Sequence, residues 1–169
     1  MQMKSLILMI GAPLNQLTNC LFGVIIYTYT EPGANMDYLV EARSRTKKKF
    51  IEAILPSMVE QLGLTNTRKS LLIRLEKDCE GMGYTVPVDI LDSYVVIIKP
   101  TMSIKSIGIT LAHEMVHVRQ MAKGILKIKN GVNYWCGKRY TKRTKYLDQP
   151  WEQDAFARQE IVFRKAITE

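Results

Sequence analysis

Five consecutive residues, His113-Glu114-Met115-Val116-His117, form an H-E-x-x-H pattern. On a helix, positions four apart lie on one face, one turn above the other. Two imidazoles held that way can fill two positions around one metal ion. Glu114, beside the first of them, is angled to take a proton from water that the ion activates. These residue types at this spacing point to metal-assisted hydrolysis of a peptide bond. The chain has only two histidines, and both are in this pattern.

A catalytic zinc takes three protein ligands and leaves one position open. With no third histidine in the chain, the third ligand is a carboxylate or a cysteine, or there is none. The acids after the motif are Asp148, Glu152, Asp154, Glu160 and Glu169. Glu152 is best placed, in the first turn of a second helix. Small Ala155 one turn on would let two helices approach. Asp148 reads as that helix's cap, Glu160 lies two turns deeper, and Asp154 points elsewhere, either supporting a ligand from behind or simply exposed. A developing oxyanion also needs a donor. Tyr134, Tyr140, Tyr146 and Arg139 are candidates, and Tyr146 is favoured because it approaches the second helix.

The surrounding segments must position these groups. Ile104, Leu111, Met115, Val118 and Ala122 make an apolar stripe on the motif helix. At about 100° per residue, His113 and His117 fall opposite it. Thr101 or Ser103 can cap the helix start, and Gly124 is placed to stop it. Upstream, residues 38 to 62 read as a helix with Pro56 inside it, Lys47, Lys48 and Lys49 on its exposed side and Gly63 after it. Residues 70 to 76 read as a strand. Tyr84 to Ile90 read as an edge strand, because Pro87 cannot donate to a ladder. Ser93 to Lys99, β-branched and nearly all apolar, reads as the central strand. After the motif, Asn130-Gly131 signals a hairpin between 125–129 and 132–136. Residues 137 to 145 read as a basic loop, and Asp148-Gln149-Pro150 opens the last helix, which runs to about Ala166.

The chain has 169 residues, a length suited to one domain, and a formal charge of +8. From Arg119 to Lys145 there are nine Lys or Arg and no Asp or Glu. Such a segment attracts an anionic partner, whether nucleic acid, an acidic peptide or an anionic surface. A non-catalytic basic binding protein on the same scaffold is therefore the alternative reading. The three cysteines are far apart with no C-x-x-C pair, which argues against a zinc ribbon and fits a reducing compartment. Residues 1–35 read as an N-terminal extension and 36–169 as the working domain. Two apolar runs in the extension are too short and interrupted for a clear membrane span. Cytoplasmic location is expected; export or anchoring through this apolar N-terminus is the alternative.

The order of helix, strand, edge strand, central strand, His113-Glu114-x-x-His117 helix and Trp151-Glu152-x-x-Ala155 helix resembles the gluzincin metallopeptidases over roughly residues 40 to 166. The likeness is closest to their minimal phage and bacterial forms, including ImmA-like peptidases. It implies an α+β fold: a small zincin-like domain whose short mixed sheet packs on an N-terminal helix, the motif helix and a C-terminal glutamate-bearing helix. It also implies Zn2+ held by His113, His117 and Glu152, with Glu114 as base. The substrate would be a protein or peptide, added as a strand along the edge strand near Tyr84, Thr85 and Val86. Longer members carry an aspartate four residues after the glutamate. Here that position is Phe156, so the usual partner of a ligand histidine is not at its usual place. SprT-like proteases are similar in size but use a third histidine, which this chain lacks.

Overall fold

The computed structural model describes residues 36–79, 81–88, 93–141 and 143–168. These belong to one structural unit, and the apolar runs before residue 36 lie outside the described residues. The fold is α+β, with three α-helices and two sheets among the described residues. Strands β1 (Tyr38–Glu41), β2 (Ser70–Leu75), β3 (Gly83–Val88) and β4 (Ser93–Ile98) form one sheet in the order β1-β2-β4-β3. The first three in that order are parallel, and β3 runs antiparallel to β4. The sheet is therefore mixed, as expected. β4 is central and buried on both faces, which its unbroken apolar run requires. β3 is an edge strand, and Pro87 sits on it without breaking an inner ladder.

The expected helix over 38 to 62 is a strand followed by a helix. Tyr38, Leu39 and Val40 favour extended backbone and pair with β2. Helix α1 (Arg45–Gln61) then starts where the Ser44 hydroxyl accepts from the Lys47 amide. Pro56 stays inside the continuous helix. The carbonyl it leaves unpaired belongs to Glu52, and both residues are exposed to water. Gly63 follows the C-cap with φ 62°. Lys47 does not lie free on the outer side as expected. Its ammonium donates to the carbonyls of Pro100 and Met102, fixing the turn that feeds the motif helix.

That helix, α2 (Ile104–Ala122), is capped by the Ser103 hydroxyl, which accepts from the Ser106 amide. It is buried on nearly every side, not on one stripe. Gly108, Ala112 and Val116 are enclosed as well as Leu111, Met115 and Val118, while Ile104 at its start is exposed. The reason is that β3, β4, α1 and the last helix all pack on it. Gly124 (φ 67°) ends it.

The second sheet is a meander of β5 (Leu126–Lys129), β6 (Val132–Trp135) and β7 (Lys138–Tyr140). Asn130 and Gly131, with φ 50° and 71°, make the expected hairpin. Residues 137 to 145 are not all loop. Cys136 and Gly137 also take positive φ, a second two-residue turn that folds Lys138 to Tyr140 back onto β6. A 3-10 turn over Tyr146–Asp148 leads into α3 (Pro150–Ala166). The N-cap is Gln149, without a side-chain bond, so Asp148 is not the cap; Pro150 supplies the preset first turn instead. Trp151, Ala155, Val162, Phe163 and Ala166 face inward.

Candidate metal centre

Helices α2 and α3 cross at a close approach. A Cβ placed on Gly108 would lie 2.3 Å from the Phe163 ring, so only glycine allows this spacing. Ala155, fully buried, occupies the small-residue position toward the other end. One turn before Ala155, α3 carries Glu152 against the two histidines, all three side chains being buried.

The Nε2 atoms of His113 and His117 lie 3.2 Å apart. Glu152 Oε2 is 3.1 Å from His113 Nε2, and Glu152 Oε1 is 3.5 Å from His117 Nε2. The edge of a tetrahedron with ligand bonds of about 2.05 Å is roughly 3.3 Å. The three groups are thus already at the spacing that one small cation would impose. His113, His117 and Glu152, each expected as a ligand, could hold a metal ion.

The far side of each imidazole is also held. His117 Nδ1 lies 2.9 Å from Gln120 Oε1. The Gln120 amide nitrogen donates to the Trp151 carbonyl (2.9 Å) and to Asp154 Oδ2 (3.0 Å), which fixes which end of the amide faces the ring. His117 Nδ1 must then carry the proton, and in the neutral ring Nε2 presents a bare lone pair. His113 Nδ1 lies 2.8 Å from Gln159 Oε1. Phe156, four residues after Glu152, packs its ring on the edge of His113 at 4.8 Å between centroids. Gln159, on the same face of α3 one turn further, provides the oxygen. Neither glutamine stood out in the sequence, although Gln120 lies three residues after His117 and Gln159 seven after Glu152. Asp154 points away from the three ligands and supports one of them from behind, the first of its two expected roles: it closes the chain from His117 through Gln120 to Arg158, whose Nε donates to Asp154 Oδ1.

The charges fit these contacts. Burial pushes the Glu152 carboxyl up, but hydrogen bonds from His113, His117 and Tyr146 outweigh it and hold the group well below the usual carboxylate range. Burial opposes the charged form of His117, yet the Glu152 bond, the Glu114 charge and Gln120 raise its pKa overall. Glu114 is raised, because burial outweighs the pull of His117, Thr85 and His113. Tyr146 is exposed over half its surface, but its hydroxyl reaches Glu152. Burial first, then that bond and the charges of Glu152 and Glu114, lift its pKa well above the ordinary tyrosine value.

Thr85 on β3 donates to Glu114 Oε2 at 2.7 Å. Strand alternation puts Gly83 on the same side, where an added Cβ would meet Thr110 at 2.8 Å and Glu114 at 3.4 Å. Tyr84 and Val86 therefore stand on the opposite face, and of the three residues expected to meet substrate only Thr85 turns its side chain to the centre. Among the described residues no strand pairs with the outer edge of β3. The other oxyanion candidates lie elsewhere. Tyr140 packs edge-on against Trp151 at 5.5 Å, and Tyr134 and Arg139 face each other across β6 and β7. Among the described residues no helix is long and apolar enough to cross a membrane. No protein-family model, curated protein or solved structure matches the chain.

Proposed function

We propose that the chain is a zinc-dependent peptidase of the gluzincin type, in which His113, His117 and Glu152 hold the ion. The observation that carries this reading is the trio of ligand groups, two imidazole nitrogens 3.2 Å apart with the two oxygens of one carboxylate 3.1 and 3.5 Å from them, and both imidazoles held from behind at Nδ1. Two nitrogens and one carboxylate are a donor set suited to catalytic zinc, which would acidify water and polarise a peptide carbonyl. A zincin-like reading of the fold draws support from the antiparallel edge strand beside the motif helix and from the glutamate helix packed across it.

Glu114 is the base. Its burial raises its affinity for a proton, which it takes from water and returns to the leaving amine. Thr85 fixes the carboxylate's direction. Tyr146, kept protonated beside Glu152, is the donor for the oxyanion. A protein or peptide substrate adds its backbone to the outer edge of β3. The three cysteines lie far apart in the chain with no C-x-x-C pair, which suits a reducing compartment.

Metal analysis of the purified chain beside its variants tests this. Wild type and Glu114→Gln should each hold one zinc, and His117→Ala and Glu152→Ala should lose it. Glu114→Gln should lose about 10²–10⁴-fold in hydrolysis of an unfolded protein substrate. A wild type that binds no zinc, or a Glu114→Gln variant as active as wild type, would sink the proposal.

A further inference from the structure

The net positive charge of this molecule comes from one part of it. Nine Lys or Arg lie between Arg119 and Lys145 without a single acid; the rest of the chain has fifteen against sixteen Asp or Glu, a net of −1. Much of that segment is the β5-β6-β7 meander, and its register sorts the side chains. Lys127 pairs with Tyr134, and Tyr134 with Arg139, so the three share one face in a single row across all three strands. Lys129, two residues along β5, stands on that face as well. The other face carries buried Leu126, and Tyr140 from it packs on Trp151, so the meander rests on the body by that side. Lys127, Lys129 and Arg139 are exposed and Tyr134 half-buried. Among the described residues no ion pair neutralises these three cations.

We infer that this face binds single-stranded nucleic acid, with Tyr134 as a stacking platform and Lys127, Lys129 and Arg139 holding phosphates on either side of it. A ring flanked by cations across a flat sheet meets both needs of a single strand, whose bases offer π-faces and whose backbone offers charge. A duplex hides its base faces, so it would leave the Tyr134 ring with nothing to stack on. An acidic peptide would use the cations but gives the ring no base to stack on. The inference is independent of the metal centre.

Fluorescence anisotropy of the full chain with an oligothymidine of about 20 nucleotides tests it, beside a duplex of equal length and polyglutamate. Binding to the single strand should weaken with salt at a log–log slope near −2, about −0.7 for each of three phosphates. The double variant K127A/R139A should flatten that slope by about 1.4. Tyr134→Leu, which keeps an apolar strand residue, should cost about ten-fold or more in affinity with little change in slope. His117→Ala should bind as wild type does, which separates this surface from the peptidase reading. Circular dichroism checks that each variant is folded. The inference is overturned by no binding at 50 mM salt, by a duplex or polyglutamate bound as tightly as the single strand, or by a slope that K127A/R139A leaves unchanged.

Discussion

Single side chains decide how well the centre can hold an ion. Gln120 and Gln159 touch no ligand position directly, yet each fixes the tautomer or orientation of one imidazole. Partners of this kind are worth about 10–100-fold in metal affinity. Gln159→Ala, at a half-exposed site, should therefore weaken zinc binding by about that factor with little change in melting temperature. Competition with a chromogenic chelator reads it, and unchanged affinity would show that His113 needs no help from α3. Thr85 touches Glu114, the proposed base, and none of the three candidate ligands. Thr85→Val should leave zinc content at wild-type level and lower kcat by about ten-fold, the worth of one hydrogen bond to a charged group, whereas Thr85→Ser should keep most of the rate.

At the scale of elements, the centre exists because two helices cross where neither has bulk. Gly108 faces Phe163 at a distance no Cβ tolerates. Gly108→Ala should force the Phe163 ring aside at about 1–3 kcal/mol, lower the melting temperature by several degrees, and weaken zinc binding as Glu152 moves with α3. Adding Phe163→Leu should recover part of both losses, a coupling that a double-mutant cycle measures. Additive losses would mean that this packing does not set the helix spacing.

For the whole molecule, an ion bound between α2 and α3 would tie the motif helix to the C-terminal one. A ligand that binds only the folded state stabilises it by about 2.7 kcal/mol at a hundred times its dissociation constant. For a chain of this size that is about 5–10 °C in Tm. Zinc should raise the melting temperature by that amount, a chelator should reverse it, and Glu152→Ala should abolish the response. Calorimetry with and without zinc decides the matter; an equal response in the variant would place the ion elsewhere.

Local patterns in the chain announced a good part of this. H-E-x-x-H, Gly124, the β-branched run of β4, Pro87 on an edge and the Asn130-Gly131 turn are each set by near neighbours, and each is where the pattern puts it. Glu152 was legible as the best acid because a first-turn position beside a small residue suits a close crossing. Strand β1 was not, since Tyr38 to Val40 fit a helical spacing as well as a strand until β2 lies beside them. Nor was the full burial of α2, which takes packing partners on every side. Gln120, Gln159 and the row Lys127-Tyr134-Arg139 are ordinary polar residues in sequence. Only the helix crossing and the strand register, which join positions far apart in the chain, turn them toward a histidine or onto one face.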